Sequence, residues 1–498
     1  MNGREEATAT SSDLLPQWAA RSNRYVPLVC WIIATIIFVL IAFKILGYGF
    51  LPGGDARRHV AKALTEKSYQ EIVVMRSEYK MDHSPGWDWL LHKLHQHAGW
   101  DADALVTFSV IFGMACIFFA PFPWLRHPEA WLLALLAELV ALPEVMYPLT
   151  QGRPFLLTEA ILIGVLFSWP KVISKNPSWL QIAFTFVGIC LSAWIHGAWY
   201  LWALPLAAFF LAGRWRAAFW LTGCWAAGTF AGACLTGSPF EFLRQALAIV
   251  GVVSAEHVPQ WMLVGELSAS RGEFATLALM AIVFLWCKPR SKGQFAFMYP
   301  PILSLVVISW LLGFKALRVW ADWGLPAVLV WLTLQFEDVL SSWESSSLKR
   351  LVVCSLASVP LFFHSTSDLS QRYTTNLKDA FIDAKDPALQ GWLPETNGIF
   401  YTSRMELFYN TFFKNPQGDW RYIIGFEPAL MPPEDLKIFR RIQWNLEAYK
   451  SYEPWIDKMT PADRLAIRSP AQPGLPQLEW SNVVSDVWIG RLPRAKQP

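Results

Sequence analysis

PLVCWIIATIIFVLIAFKIL, residues 27–46, decides the fold class: twenty consecutive residues in which Lys44 is the only charge. A helix needs about 17–25 predominantly apolar residues to cross a hydrocarbon layer. This stretch is long enough to stay as an anchor, and the polar residues 1–26 ahead of it do not read as a cleavable leader. Within ten residues of its end comes Gly54-Asp55-Ala56-Arg57-Arg58-His59. An acid, two cations and an imidazole therefore crowd the point where the segment leaves the membrane.

Composition extends the reading to the whole chain. Of 498 residues, 54% are hydrophobic, 15% aromatic and only 16% charged, against about 25% charged in an ordinary soluble domain. The 28 Trp suit a long membrane–water perimeter. A net charge of +3 argues against nucleic acid as a partner. All seven Cys lie in or beside apolar runs, with none from 365 onward. A disulfide framework is thus excluded in the polar C-terminal region, and the cysteines read as small hydrophobes.

Eleven apolar segments recur: 27–46, 102–121, 130–147, 154–170, 179–195, 198–212, 216–235, 274–287, 297–313, 319–335 and 351–364. With the N-terminus inside, every second short connection is basic: Arg4, Arg21 and Arg24, then Arg126, Lys171 and Lys175, Arg214 and Arg216, Lys288, Arg290 and Lys292, and Lys349 and Arg350. The opposite side keeps only Arg153, Lys315 and Arg318 in its short connections. The bias predicts a cytoplasmic N-terminus and an external C-terminus. The expected fold is an α-helical polytopic membrane protein of about eleven transmembrane helices in a bacterial inner (cytoplasmic) membrane. Its parts are a cytoplasmic tail 1–26, a membrane domain 27–364 with external loops 47–101 and 236–273, and an extracytoplasmic α+β domain 365–498.

In the first loop, 54–67 reads as a helix whose initial acid suits the positive end of the helix dipole. Asp55 and His59 share one face, as do Arg58 and Lys62. The pattern is either a solvated charged face, or a carboxylate that accepts a proton beside cations that neutralise a phosphate. Asp82-His83-Ser84-Pro85-Gly86-Trp87 is either a plain Asx-type turn or a second acid and imidazole aimed at the same cavity. His92, His95 and His97 offer only two ligands on one helical face, and the single acid Asp55 among basic neighbours reads as a metal-independent site; no cofactor is expected, with a divalent cation that takes Asp82 as a second ligand as the alternative.

Lys315, Arg318 and Asp322 line one face at the outer end of the tenth segment. They read as a helix-surface ion pair with a snorkelling lysine, or as a cationic clamp at the membrane edge. Arg153 precedes the fourth segment and His196 ends the fifth at the same side, while Glu138 and Glu159 lie inside segments without an assigned role. In 236–273 an amphipathic run at 240–253 reads as an interfacial helix or a flap. In 365–498, extended runs at 398–402, 421–426 and 487–492 alternate with helical stretches at 403–413 and 433–459. The aromatics Tyr409, Trp420, Trp444, Tyr452 and Trp455 read as core, with sugar stacking as the other use.

In order and topology these residues resemble the GT-C class of integral-membrane glycosyltransferases, in particular the protein O-mannosyltransferase and aminoarabinose-transferase branch. Gly54-Asp55-Ala56-Arg57 resembles the family's acid soon after the first helix, and His83-Ser84-Pro85-Gly86-Trp87 its His-Pro-Pro-like turn into a helix. Arg153-Pro154, His196 and Arg318-Val319-Trp320 with Pro326 resemble its later motifs. The likeness runs over residues 27–335 and departs at Ala56, where many relatives carry a second acid, and at Ser84. It implies a polyprenyl-phosphate-linked sugar donor, transfer on the external face, and a glycan, lipid or protein acceptor. Asp55 and His83 would be the catalytic residues. Arg57, Arg58, His59, Asp82, Arg153, His196, Lys315, Arg318 and Asp322 would bind substrate. Two other functions fit the same pattern: a transporter or flippase for a lipid-linked substrate, and a non-catalytic scaffold of this shape in envelope assembly.

Overall fold

A computed structural model describes residues 17–80, 82–172, 176–255, 258–287, 299–341 and 347–493. Arg4, Met81, Lys175, His257, Lys288, Arg290 and Lys292, and the side chains of Arg21, Arg24 and Lys171, lie outside the described residues.

Each of the eleven apolar segments is helical over most of its described residues, but hydropathy does not register where helices end. Tyr25–Leu46, Ala102–Phe119, Leu317–Ser341 and Ser347–Thr366 are long and apolar enough to cross a membrane. Two bent pairs raise the number from four to six: Pro128–Ala141 with Pro143–Thr150, turning through 110°, and Trp215–Cys234 with Pro239–Ala255, turning through 109°. The other five apolar helices have only 10–17 residues, so the expected eleven spans stand at four to six on length and composition. Local signals set the shorter limits. Pro143 stops one helix at Ala141, whereas Trp179–Ile195 keeps its expected bounds, opened by a capping box of Ser178 with Gln181.

The first helix, Gln17–Leu46, has two distinct faces. Cys30, Ala34, Phe38, Ile41 and Ile45 are buried in the helical core, whereas Leu28, Ile32, Ile36, Val39 and Phe43 form an exposed apolar stripe. Such a stripe is stable against lipid and unfavourable against water. The Leu317–Ser341 helix is the most enclosed of the candidate spans and contains a π-helical turn, Trp320–Gly324. Gly324 has no Cβ there because the Trp320 ring occupies the space.

Above the helices, the first loop folds into Asp55–Ala63, Tyr69–Ile72 and Pro85–Ala98. Pro85 at the first turn and Gly99 in the left-handed region (φ 67°) delimit the last of these. The C-terminal region carries one five-stranded sheet: β1 (Ile399–Tyr401), β2 (Arg421–Tyr422), β3 (Arg464–Arg468), β4 (Glu479–Val484) and β5 (Val487–Arg491), in the order β2-β1-β3-β5-β4. β1 is parallel to β2 and β3, and β5 is antiparallel to β3 and β4. β1, β2 and β5 fall in the expected extended runs. β3 was not expected because both its faces are buried and no alternation marks it, and β4 because it opens on polar residues. The expected helix over 433–459 ends at Trp444, where Leu446 and Glu447 take positive φ.

This domain is fastened to the first loop. Met405–Lys414 packs on Asp55–Ala63, and Val73 makes a parallel bridge to Tyr422 at the sheet edge. Asp55–Ala63 also rests on Pro85–Ala98 and Ala102–Phe119, so one short helix touches loop, membrane domain and terminal domain together.

Candidate functional site

Asp55 is the first residue of its helix, entered through Gly54 at φ 73°, and its side chain keeps about 30% exposure. Its carboxylate lies 3.2 Å from the Arg58 guanidinium and 3.6 Å from that of Arg153. Arg153 reaches it because Gly152, at φ +65°, passes close over the loop helix. A Cβ on Gly152 would stand 2.9 Å from Ala56 Cβ and 3.0 Å from Ser109 Cβ. Arg153 then extends to Glu266 at 3.0 Å and Asp322 at 3.8 Å. Arg318 meets the same two acids, Asp322 at 3.0 Å and Glu266 at 3.6 Å, and lies over the Phe155 ring. Three guanidiniums (Arg58, Arg153, Arg318) and three carboxylates (Asp55, Asp322, Glu266) thus form one chain of contacts.

Burial opposes ionisation of Asp55, yet Arg58, Arg153, His59 and Arg318 together hold its carboxyl well below the usual carboxylate range. It is therefore an ionised group in a cationic cleft.

A second chain runs inward from Arg58. Its Nη2 donates to His59 Nε2 at 2.9 Å, and His59 Nδ1 donates to Asp88 Oδ1 at 2.6 Å. The acceptor role of Nε2 places the single ring proton on Nδ1. Burial, then the adjacent Arg58 charge, lower the His59 pKa to about 3, so this imidazole is neutral near pH 7. Asp82 accepts from the Ser84 backbone N–H at 2.9 Å, and burial together with the neighbouring Asp88 carboxyl pushes it up to about 8. Arg58 Nη1 donates to the Tyr69 hydroxyl at 3.1 Å.

The two remaining imidazoles meet. His83 and His196 cross edge to face with ring centroids 4.7 Å apart, and the Gly197 N–H donates to the His83 carbonyl at 2.8 Å. Gly197 is required there, because its Cβ would press on His83 at 3.0–3.2 Å. Burial, then Arg318 and Arg58, lower His83 to about 4. Arg318 donates to His196 Nε2 at 3.2 Å, and His196 Nδ1 is buried with no hydrogen-bond partner among the described residues.

The residues singled out in the sequence therefore separate into groups. Asp55, Arg58, Arg153, Arg318 and Asp322 share one ion-pair chain; His196 adjoins it through Arg318 with His83 against its ring, His59 adjoins it through Arg58, and Asp82 lies beside Asp88. Arg57 belongs elsewhere. Its guanidinium is buried against Asp379 at 2.8 Å, Asn410 and the Phe381 ring, inside the joint with the terminal domain. Consecutive helix positions point about 100° apart, and Arg57 and Arg58 accordingly take separate sets of partners. Lys315 is exposed and takes no part in the ion-pair chain. Glu159 is within electrostatic reach of Asp322, Arg153 and Arg318, whereas the Glu138 carboxyl oxygens are buried without a partner among the described residues.

Three contributors escaped the sequence reading. Glu266 is a lone acid in a loop, Asp88 resembles any first-turn acid, and Tyr69 carries no pattern. Tyr409 packs against the terminal-domain core as expected, and in addition has its ring edge 3.8 Å from where a Gly54 Cβ would be, beside Asp55. Among the described residues no group of three or more His, Cys, Asp or Glu is arranged to hold a metal ion.

Compared with protein-family models the chain matches none. Compared with curated proteins it likewise finds no match.

Proposed function

We propose that this chain is an integral-membrane glycosyltransferase of GT-C type, moving a sugar from a polyprenyl-phosphate donor to an acceptor hydroxyl on the extracytoplasmic face. The observation that carries the reading is Asp55: an ionised, partly exposed carboxylate touching Arg58 and Arg153, with Arg318 joined through Glu266 and Asp322. A lipid carrier holds its phosphate at headgroup level, and guanidiniums are suited to bind it.

In the reaction the acceptor oxygen attacks the anomeric carbon and the bond from that carbon to the phosphate oxygen breaks. The bonding pair leaves with the phosphate, and the acceptor proton passes to Asp55. Arg153 and Arg318 stabilise the charge that grows on the leaving phosphate. The same cations depress Asp55 in the free protein. A bound phosphate that draws on them relaxes this field and makes Asp55 a stronger base, so proton abstraction is coupled to donor occupancy.

The test is turnover of polyprenyl-phosphate sugars by purified protein in nanodiscs. Asp55→Asn is expected to lower the rate by roughly 10²–10⁴-fold, the range of positioned general bases. Unchanged turnover would remove Asp55 as the base. A second reading, passage of a lipid-linked substrate across the bilayer, draws on the two apolar helix pairs bent by 110° and 109°. It predicts movement of the labelled lipid between leaflets that Asp55→Asn leaves intact. Transfer without such movement excludes it.

A further inference from the structure

Two acids, Asp322 and Glu266, each contact both Arg153 and Arg318, and they differ sharply in exposure. Asp322 lies in the π-helical turn of a membrane helix, with its side chain 1% exposed. Glu266 lies in a loop, with 42% exposure. A buried carboxylate in contact with two guanidiniums is costly to remove, whereas a half-exposed one exchanges readily with solvent ions. Only Glu266 is therefore suited to leave.

The loop is built for that. Met262 O accepts from Arg440 at 2.7 Å and from Gln443 at 3.3 Å, both in the terminal domain. Ser268 O accepts from Leu317 N at 2.7 Å, and Ser270 N donates to Gly313 O at 2.8 Å. Between these fixed points stands the single 3-10 turn Gly265–Leu267 that carries Glu266. Around Gly265 there is open space, with no atom within 4 Å of a Cβ built on it.

The geometry points to Glu266 as a built-in stand-in for the ligand phosphate, which holds Arg153 and Arg318 in the free protein and is displaced by a lipid-linked phosphate. This rests on the phosphate site proposed above and adds its gate and its charge selectivity. With Glu266 in place the three guanidiniums face three carboxylates. Its departure uncovers one positive charge, which matches the single negative charge of a phosphodiester headgroup. Transfer converts that diester to a monoester of greater negative charge, which the cleft holds only while Asp55 keeps the acceptor proton; its loss restores the Asp55 carboxylate beside the spent phosphate. Return of Glu266 then competes with the spent carrier.

The experiment measures binding of farnesyl phosphate and, separately, inorganic phosphate to the full chain in nanodiscs. Wild type is compared with Glu266→Gln, Glu266→Ala, Arg153→Gln and Arg318→Gln, each checked for an unaltered melting profile. Both Glu266 variants are expected to bind farnesyl phosphate about three- to tenfold tighter, because an internal competitor lowers apparent affinity by the fraction of protein it closes. Arg153→Gln and Arg318→Gln are expected to lose binding. If the arginine variants lose binding while both Glu266 variants bind no tighter than wild type, Glu266 is not a competitor and the phosphate site stands without it. If the arginine variants bind as wild type does, the phosphate site fails, and the gate with it. Inorganic phosphate binding as tightly as farnesyl phosphate would replace the lipid headgroup by a soluble anion and overturn the lipid assignment.

Discussion

Gly152→Ala is the substitution that tests most directly how the site is assembled. Gly152 has φ +65°, where an alanine costs roughly 1–2 kcal/mol. Its new Cβ would also stand 2.9 Å from Ala56 Cβ and 3.0 Å from Ser109 Cβ. Neither atom can turn away by changing rotamer, because a Cβ is fixed by its backbone. Two helices, Asp55–Ala63 and Ala102–Phe119, must therefore shift, and overpacking of this kind costs about 1–3 kcal/mol more. Gly99→Ala is the matched control, since Gly99 has φ +67° and no atom within 4 Å of a built Cβ. Equilibrium unfolding of both variants in detergent micelles should place Gly152→Ala about 1–3 kcal/mol below Gly99→Ala. Ala56 adjoins Asp55 and Arg153 adjoins Gly152, so the same shift widens the 3.6 Å Asp55–Arg153 contact. Farnesyl phosphate binding should weaken in Gly152→Ala and remain intact in Gly99→Ala. Equal destabilisation by the two, with equal binding, would refute the claim that this close approach sets the site.

Arg57→Leu leaves Asp379 and Asn410 without their buried partner and should cost about 3–5 kcal/mol, loosening the terminal domain from the first loop. Limited proteolysis checks it, and wild-type resistance would refute the assignment of Arg57 to that joint. A pH series tests Asp82. Its folded pKa of about 8 lies above its ordinary value of 3.8, so the native state holds a proton that the unfolded state has lost between these limits. Its contribution to stability is therefore complete below about pH 4 and falls until pH 8. Asp82→Asn should unfold with a flatter pH profile from 4 to 8 and a relative gain on the alkaline side; an unchanged profile would contradict a carboxyl held protonated beside Asp88. His59 works in the opposite sense. Held neutral down to about pH 3, it withdraws stability as pH falls below its ordinary 6.5. His59→Asn should remove that loss, which acid unfolding curves of the two proteins would register.

Much of the architecture was legible before folding, because burial in lipid writes itself into composition. Every apolar segment is helical over most of its described residues, 130–147 as two pieces bent by 110°, and the first-loop helix expected over 54–67 runs from Asp55 to Ala63. Lengths were less legible. A proline at 143 broke the segment 130–147 that hydropathy alone continues, whereas 179–195 is helical over its full expected length. In the terminal domain, β3 escaped because a strand buried on both faces shows no alternation.

The sequence by itself determined that Asp55, Arg58, Arg153, His196 and Arg318 stand at the ends of apolar segments, since charge avoids hydrocarbon. Only the tertiary structure decided which of them meet. Arg57 and Arg58 are neighbours in the chain, yet one is buried in the terminal-domain joint and the other in the polar cleft. Glu266 and Arg153 are 113 residues apart and form the 3.0 Å contact on which the gate rests. Helical geometry separates adjacent side chains, and packing alone joins distant ones. For that reason the floor of the site could be read from the residues around Asp55, while its counter-ion could be found only in space.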